Sequence, residues 1–450
     1  MFKFPEGFID SLSALEGFDK DSFVSAHEKA PPVSIRKNPY KDYLVIDSNY
    51  INIPWCDTGY YLKERPVFTL DPKFLAGGYY VQEASSMFIS HILKHLLGGP
   101  VEANFLDMCA APGGKSTILL DYLKDEGVLV SNEIIVSRCS VLAQNLAKWG
   151  RCNHIVTNNN HDAFRKIGEI FDLILVDAPC SGSGLFRKQP ESVNEWSLQN
   201  VEMCATRQRE ILESACNVLK PGGYLIYSTC SYSRKENEEI TNWVNEKYGL
   251  EHVEIPFSDS WGIIKSDGGY RFYLNKLEGE GFYCAVFRKK AVKNLASNLK
   301  NDSRYFKNPD KSELSQLEKY LKENHGQVIL KAKEEFKLIG KGIIEVLSNL
   351  QKPIFIRTVG TNIGMIKGKD FIPSHELALS VFLSEQVDDI QLNEEQAISY
   401  YKKQDFVINP GAKGMKLVKH NSIGLGWCKL LERRMNNYLP NAFMIRNQAL

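Results

Sequence analysis

Between residues 100 and 290, six short apolar segments alternate with helical segments, and this alternation constrains the fold more than any other feature of the sequence. Strands that are apolar along their whole length are buried on both faces, and parallel strands need a crossover, usually a helix, between them. The pattern therefore predicts an α/β fold with a doubly wound, mostly parallel, Rossmann-like sheet. The predicted strands are ANFLDMC, GVLVSNE, HIVTNN, FDLILVDAP, GYLIYSTC and GFYCAVFRK.

The regions on either side of this alternation have a different pattern and predict further units. Residues 1–95 combine short helices with a turn-rich stretch and are expected to form an N-terminal α+β cap. Residues 96–290 hold the sheet, and the polar, lysine-rich residues 291–329 are expected to be a linker. Residues 330–450 predict a small α+β domain with one amphipathic helix near ELALSVFLSEQV.

One helix start has a recognisable local signature. Ser233 and Glu236 follow the fifth predicted strand at the spacing of a capping box, in which the two side chains bond to each other's backbone N–H groups. We therefore expect this pair to begin the next helix.

The composition excludes several classes of protein. The chain has no run of eighteen apolar residues, which argues against a membrane span, and the start shows no signal peptide pattern. Its ten cysteines include no C-x-x-C pair and no zinc-like cluster, so we expect reduced thiols, no metal and a cytoplasmic location. A net charge of +1 means that any nucleic-acid-binding surface must be a local patch.

A glycine-containing turn, DMCAAPGGKS, follows the first predicted strand and precedes a helix. Gly113 and Gly114 allow a tight turn and a close approach to a ligand, while the helix start offers free N–H groups. The turn is neither G-x-G-x-x-G nor a phosphate loop, which disfavours NAD and ATP. Glu133, at the end of the second strand, can accept from both hydroxyls of a ribose. The pattern fits an adenosine-bearing cofactor, although a structural turn with a surface glutamate would look the same.

Two cysteines follow neighbouring predicted strands at the edge where such folds bind ligands. Cys180 follows the fourth strand in LVDAPCSGSG, and Cys230 follows the fifth in IYSTCSYS. A single cysteine at a strand end is more often a packing residue than a nucleophile. Two of them in polar turns on one edge are harder to explain by packing, so we expect both thiols to face one crevice.

The chemistry suited to two such thiols is addition to a pyrimidine. A thiolate is the strongest nucleophile that a protein presents at neutral pH, and its addition to C6 makes C5 able to attack a sulfonium methyl group. Asp177, three residues before Cys180, is suited to hydrogen bonding at the N3/N4 edge of the base. Cys180 is suited to removing the C5 proton or to eliminating the enzyme.

These motifs together resemble the NOL1/NOP2/Sun family of RNA cytosine-C5 methyltransferases, over nearly the whole chain. The C-terminal stretches are similar to the PUA-type extension of the bacterial ribosomal branch of that family. The motifs that carry the resemblance are SIRKNP (34–39), GGYYVQEASSM (77–87), CAAPGGK (109–115), DAPCSGSG (177–184), FRKQPESVNEWS (186–197), STCSYS (228–233), IPSHELALS (372–380) and GLGWCKLLERRMNNYLP (424–440).

The resemblance implies S-adenosyl-L-methionine as the cofactor, Cys230 as the nucleophile and Cys180 as the residue that assists product release. An aspartate that the family carries after the third strand is replaced here by Asn160, with Asp162 two residues on, and the family's Pro-His is replaced by Leu274-Asn275. The implied cofactor contacts are Cys109, Ala110, Ala111, Pro112, Gly113, Gly114, Lys115, Glu133, Asn160 and Asp177.

The implied partner is RNA, most readily that of the small ribosomal subunit, bound by a monomer through the N-terminal cap (residues 1–95) and the PUA-like domain (residues 330–450). Two groups of basic residues are candidates for phosphate contacts, although each is also compatible with an ordinary solvated face. The alternatives are a tRNA cytosine-C5 methyltransferase, a methyltransferase for a small molecule or protein, and a non-catalytic ribosome-assembly factor. The two basic groups are Arg187, Lys188, Arg207 and Arg209, and Lys413, Lys416, Lys419 and His420 with Trp427, Arg433 and Arg434.

Overall fold

The N-terminal region of the computed structural model is built around a four-stranded antiparallel sheet, ordered β2-β3-β1-β4. The structure describes residues 2–291, 306–323, 325–350, 353–406, 413–432 and 434–446. The helices here are α1 (Phe8–Leu12), α2 (Lys20–His27), α3 (Pro72–Leu75) and α4 (Phe88–Leu97). The strands are β1 (Val33–Lys37), β2 (Tyr50–Ile53), β3 (Cys56–Leu62) and β4 (Tyr79–Val81).

A ten-stranded sheet forms the centre of the molecule, with five parallel strands in the order β7-β6-β5-β8-β9. The antiparallel strand β13 pairs with β9 and continues the sheet through β12 and β11, and β10 also pairs with β13. The predicted doubly wound, mostly parallel sheet is confirmed. Nine of its strands are β5 (Asn104–Asp107), β6 (Val128–Asn132), β7 (His154–Thr157), β8 (Phe171–Asp177), β9 (Leu219–Thr229), β10 (Glu251–His252), β11 (Ile264–Ser266), β12 (Gly269–Phe272) and β13 (Phe282–Arg288), and the tenth comes from the C-terminal region.

Both faces of the sheet are covered, which explains why its strands are apolar throughout. Phe105 and Leu106 are neighbours on β5 but belong to two different hydrophobic clusters, one on each face of the sheet. The helices between the strands are α5 (Gly114–Asp121), α6 (Val136–Trp149), α7 (Leu198–Val218) and α8 (Glu238–Tyr248).

The expected capping box at Ser233 and Glu236 is wrong. Residues Arg234–Glu236 form one 3₁₀ turn, Ser233 makes no side-chain capping bond, and α8 begins at Glu238. The Glu236 side chain is fully buried and points away from the helix start. A local spacing rule missed this because Glu236 accepts instead from Ser181, Gln208 and Ser231, two of which are distant in the sequence.

The C-terminal region holds two further four-stranded sheets, ordered β14-β15-β17-β18 and β19-β20-β21-β22. Its helices are α9 (Lys311–Glu318), α10 (Ile343–Leu350), α11 (His375–Leu379) and α12 (Glu394–Lys402). Its strands are β14 (Val328–Ala332), β15 (Glu335–Ile339), β16 (Ile356–Val359), β17 (Thr361–Lys367), β18 (Asp370–Pro373), β19 (Asp389–Gln391), β20 (Gly414–His420), β21 (Ile423–Leu430) and β22 (Met435–Asn437).

The C-terminal region is joined to the central sheet by β16, which pairs antiparallel with β7. The helix expected near ELALSVFLSEQV ends at Leu379, because Ser380 has an extended backbone and Val381 donates its N–H to the carbonyl of Gly150. Within the predicted linker 291–329, residues 292–305 and 324 lie outside the described residues, and the domain boundaries stay predictions.

Single 3₁₀ turns connect many of these elements. They span Phe68–Leu70, Ser85–Met87, His161–Lys166, Ser183–Leu185, Pro190–Glu195, Arg234–Glu236, Asp259–Trp261 and Asn441–Phe443. Across the described ranges, none of the helices has both the length and the apolar character that a bilayer span demands.

Candidate active site

The site lies at the carboxyl ends of β5, β8 and β9, where the order of the parallel strands reverses direction. Connections leave β5 toward β6 on one side and reach β8 on the other, so a crevice opens between them. Asp107 is the last residue of β5, and Asp177 is the last residue of β8.

The two predicted thiols meet at this edge. Cys180 and Cys230 follow β8 and β9, both are half-buried, and their Sγ atoms lie 3.1 Å apart. Their sulfur atoms are therefore brought together as expected, but of the two only Cys230 lines the cavity described below, and their chemical roles stay predictions. The hydrogen bond to Cys230, burial and nearby negative charge together raise the pKa of the Cys180 thiol well above its usual value.

A close backbone approach fixes the turn that carries Cys180. Gly184 donates its N–H to the carbonyl of Cys230 at 2.8 Å, and Gly281 donates to the carbonyl of Gly184 at 2.9 Å. A Cβ atom on Gly184 would lie 2.4 Å from the oxygen of Gly281 and 2.7 Å from that of Cys230. Only glycine fits there, since any side chain would push the two turns apart.

A cavity of about 310 Å³ opens beside these turns. Residues from the glycine-containing turn, from the ends of β5 and β8, and from the N-terminal region share its wall. The lining residues are Tyr80, Val81, Gln82, Glu83, Ser86, Asp107, Cys109, Ala110, Ala111, Pro112, Gly114, Lys115, Asp177, Ala178, Leu185, Lys188, Cys230, Gly281 and Phe282.

Asp177 is held in place by two polar partners. Lys115 donates from Nζ to one carboxylate oxygen at 2.8 Å, and Ser228 donates its hydroxyl to the other at 2.7 Å. Burial alone would lower the pKa of Lys115, but the ion pair with Asp177 outweighs burial and raises it. Lys115 therefore stays charged and keeps the carboxylate of Asp177 directed at the cavity.

Asp107 is a cavity residue that the sequence motifs did not single out. Its Oδ2 atom accepts from the hydroxyl of Ser116 at 2.7 Å, while its buried Oδ1 atom has no partner among the described residues. Burial raises the pKa of this carboxyl group to about 7, with a further contribution from the charge of Asp177. An unpartnered acceptor at a cavity wall is suited to a ligand that carries a donor or a positive charge.

The residues of the glycine-containing turn are brought together as predicted, with Cys109, Ala110, Ala111, Pro112, Gly114 and Lys115 at the cavity wall. Gly113 precedes α5 with a φ of 113°, which favours glycine. Burial raises the pKa of Cys109 well above its usual value, so this residue presents a neutral thiol to the cavity.

Two predicted cofactor residues, Glu133 and Asn160, are not among the described residues that line the cavity. The carboxylate of Glu133 is almost fully buried; it accepts from the N–H of Ile135 at 2.9 Å and lies 3.6 Å from Arg138. Asn160 is exposed and accepts from the N–H of Asp162 at 3.1 Å.

We expect the change Glu133→Ala to weaken cofactor binding, because a carboxylate that accepts from ribose hydroxyls makes charge-assisted bonds of about 1.5–3 kcal/mol each. Isothermal calorimetry on Glu133→Ala and on the control Glu126→Ala, at an acidic residue before β6, measures this effect. A variant that loses thermal stability but keeps its cofactor affinity would show that Glu133 serves only the start of α6.

The N-terminal region contributes a wall that sequence reasoning did not assign to the site. Tyr80, Gln82, Glu83 and Ser86 all line the cavity and lie in the GGYYVQEASSM segment. The only signal for them was the resemblance of that segment to a family motif, because neither spacing nor composition marks it.

The first basic group is only partly available to RNA. Arg187 is buried and donates from two nitrogen atoms to one oxygen of Glu280, at 3.0 and 3.1 Å, so it cannot reach phosphates as expected. Lys188 is exposed and lines the cavity mouth. Arg207 is exposed on α7.

The second basic group is not a free cationic patch. Each of its three lysines forms an ion pair with a carboxylate, and Trp427 is buried and donates to the carbonyl of Ser374. Arg433 lies outside the described residues. These ion pairs offset part of the positive charge of the lysines, and their role as phosphate contacts stays a prediction. The ion pairs are Lys413–Glu432, Lys416–Asp388 and Lys419–Asp389.

No group of three or more His, Cys, Asp or Glu side chains with the arrangement of a metal site occurs among the residues that the structure describes.

Comparisons with known proteins agree with this architecture. Residues 96–288 match the family described as 16S rRNA methyltransferase RsmB/F, residues 4–84 the N-terminal domain of RsmF, and residues 387–445 the RsmF PUA domain. The ribosomal RNA small subunit methyltransferase F of Shewanella loihica is 30% identical, over 98% of this chain and 95% of the relative. The Escherichia coli protein of the same name is 28% identical, over 97% and 96%.

Solved structures share the fold of the central part of the chain. A methyltransferase homologue from Pyrococcus horikoshii is 29% identical with a TM-score of 0.53, over 62% of this chain and 93% of that one. NSun6 from the same organism, solved with SFG, is 20% identical with a TM-score of 0.54, over 64% and 98%.

Proposed function

The chain belongs to the RsmB/F family of 16S rRNA methyltransferases, and from this membership we propose that Cys230 is the nucleophile with which it methylates C5 of a cytosine in small-subunit ribosomal RNA. The donor of the methyl group is S-adenosylmethionine. The observation that carries the proposal is the meeting of two thiols, 3.1 Å apart, beside a cavity that also holds the Lys115–Asp177 pair.

The cavity fits the cofactor. Asp107 offers a buried, unpartnered carboxylate oxygen to a positively charged amino group, and the turn from Cys109 to Gly114 offers a small-residue wall. The same residues would hold the cofactor next to Cys230. When bound, S-adenosylmethionine supplies an electrophilic methyl group on a sulfonium.

The residues of the chain account for the steps on the base. The thiolate of Cys230 forms a bond to C6, and the electrons of the C5–C6 double bond shift into the C5–C4–N3 system, which makes C5 enamine-like and nucleophilic. Asp177, held by Lys115, meets the N3/N4 edge of the base and stabilises the adduct through hydrogen bonding. Once C5 carries the methyl group, Cys180 takes the C5 proton, and the C6–sulfur bond breaks to release Cys230.

A mechanism-based trap tests this function. With RNA that contains 5-fluorocytosine and with the cofactor present, we expect a covalent complex that survives a denaturing gel, because fluorine cannot leave C5 as a proton does. The same RNA with ordinary cytosine is the control and should turn over without accumulating the complex. A methyltransferase for small molecules or proteins would give no complex.

The substrate RNA is tested separately, since a tRNA would use the same chemistry. Mapping 5-methylcytosine in ribosomal and transfer RNA from cells that lack the protein should show loss in small-subunit ribosomal RNA. Loss of 5-methylcytosine confined to tRNA would show that tRNA is the substrate, while the proposed chemistry would stand. We further propose that the protein acts as a monomer in the cytoplasm, where thiols stay reduced.

We expect Lys188→Gln to weaken RNA binding and to reduce the salt dependence of the affinity by about one unit of slope, because an exposed lysine at the cavity mouth releases one counterion when it meets a phosphate. The matched control is Lys419→Gln, whose lysine already forms an ion pair with Asp389. Titrations at several salt concentrations measure both slopes. Equal slopes for Lys188→Gln and the unsubstituted protein would remove Lys188 from the RNA-binding surface.

A further inference from the structure

Glu236 is a fully buried carboxylate with an unusual number of donors. Its Oε1 atom accepts from the backbone N–H of Ser181 at 2.7 Å and from the side-chain amide of Gln208 at 3.2 Å. Its Oε2 atom accepts from the hydroxyls of Ser181 and Ser231, each at 2.5 Å. Four hydrogen bonds therefore converge on one side chain.

The donors connect this carboxylate to both catalytic turns. Ser181 directly follows Cys180, and Ser231 directly follows Cys230. Gln208, on α7, also donates to the carbonyl of Pro179, the residue before Cys180, at 3.0 Å. Glu236 thus contacts the chain next to each thiol without contacting the cavity itself.

Burial of a carboxylate lowers the stability of the folded protein, so its presence here calls for a role other than packing. Burying a carboxylate removes it from water, and burial raises the pKa of Glu236 although the four hydrogen bonds oppose this change. An apolar side chain could fill the same space at lower cost if only packing mattered. What an apolar residue could not do is orient the Ser181 N–H and two hydroxyls at the same time.

We propose that Glu236 is a positioning residue that fixes the turns of Cys180 and Cys230 relative to each other, so that the two sulfur atoms meet at the cavity. The role of this arrangement in catalysis rests on the proposed methyl transfer. The arrangement itself can be measured without any turnover.

Two substitutions separate geometry from charge. In Glu236→Gln the remaining carbonyl can accept from Ser181 N–H and Gln208, and the new NH₂ can donate to the two hydroxyls, which are able to accept. This variant keeps the hydrogen bonds to the two turns and to Gln208 but loses the negative charge. Glu236→Ala loses both. The matched control is Glu238→Gln, because Glu238 is also buried but its carboxylate accepts from Arg271 and Ser266 and from no residue of either cysteine turn.

Binding of phenylarsine oxide tests the geometry, because this reagent bonds to two neighbouring thiols with the loss of one water molecule. Binding that is lost in Cys180→Ala is assigned to the Cys180–Cys230 pair. Binding that remains in that variant comes from other thiols and is subtracted as background. We expect Glu236→Ala to weaken this binding about tenfold or more, since the effective concentration of one thiol at the other falls. Glu236→Gln and Glu238→Gln should bind close to the level of the unsubstituted protein.

The negative charge of Glu236 allows a second measurement, the pH dependence of Cys180 alkylation. A residue that only filled space would not affect this pH dependence. The negative charge of Glu236 contributes to the raised pKa of Cys180, after the hydrogen bond to Cys230 and burial. Glu236→Gln should therefore shift the alkylation of Cys180 by iodoacetamide to lower pH, as measured by mass spectrometry of the Cys180 peptide. Glu238→Gln should not shift it.

The outcomes are separable. If Glu236→Ala is folded and binds the arsenical as tightly as the control Glu238→Gln does, the proposal is wrong. If Glu236→Ala does not fold, the double variant Ser181→Ala/Ser231→Ala removes the two hydroxyl contacts, including the only direct one to the Cys230 turn, and undiminished arsenical binding there overturns the proposal. If the thiols separate as expected but no variant and no unsubstituted protein methylates RNA, then the proposed function fails and the positioning role stands.

Discussion

Replacing Cys230 with alanine should reduce RNA methylation to less than about a hundredth of its level in the unsubstituted protein, because the loss of covalent catalysis removes several kcal/mol of transition-state stabilisation. Cofactor binding should persist, since Cys230 is one of many residues that line the cavity and the Asp107 and glycine-turn contacts remain. Methyl incorporation into RNA and calorimetry with the cofactor measure the two effects.

Cys204→Ala is the matched control for this variant. Cys204 is a buried thiol on α7 whose sulfur lies near Asn200 and does not line the cavity. Its removal should cost stability without a comparable loss of methylation. Activity of Cys230→Ala above about a hundredth would move the nucleophile to another residue.

The central sheet could be predicted because its determinants are local. Each parallel strand contains a short apolar run, and three of the four connections between these strands contain an α-helix. Residues such as Phe105 and Leu106 are both buried because the two faces of the sheet are both covered. The meeting of Cys180 and Cys230 followed from the same rule, since the carboxyl ends of neighbouring parallel strands share one edge.

The errors share one physical cause, which is pairing over long sequence distances. Lys416 and Lys419 look unpaired in the sequence, yet they form ion pairs with Asp388 and Asp389. Arg187 looked like a phosphate contact, yet its partner Glu280 is 93 residues away. No local pattern records such partners, so charge runs predict a surface potential poorly.

The edge strand β16 is a second example of a non-local feature. The sequence suggested a separate C-terminal unit from residue 330, but β16 pairs with β7 of the central sheet. The N-terminal wall of the cavity, with Tyr80 and Gln82, belongs to the same class. Both depend on how whole regions pack against each other rather than on the preference of any short segment.

Replacing Cys180 with alanine should have the opposite effect on covalent bonding, because the adduct should form and then fail to resolve. In the free enzyme the hydrogen bond to Cys230 is the largest cause of the raised pKa of Cys180, followed by burial and the charge of Cys230. When the Cys230 sulfur becomes a thioether in the adduct, it carries no charge and no longer competes for that proton. The pKa of Cys180 should then fall, which makes Cys180 available as a base at the stage when the C5 proton must leave.

We therefore expect Cys180→Ala to leave a covalent complex with ordinary cytosine-containing RNA on a denaturing gel, while multiple turnover is lost. The double variant Cys180→Ala/Cys230→Ala is the decisive control, since without the Cys230 sulfur the complex should disappear. A complex that persists in the double variant would mean that the RNA is bound through another residue. Normal turnover by Cys180→Ala, with no complex, would make Cys180 a packing residue, and the C5 proton would have to leave by way of another group at the cavity, such as Asp177.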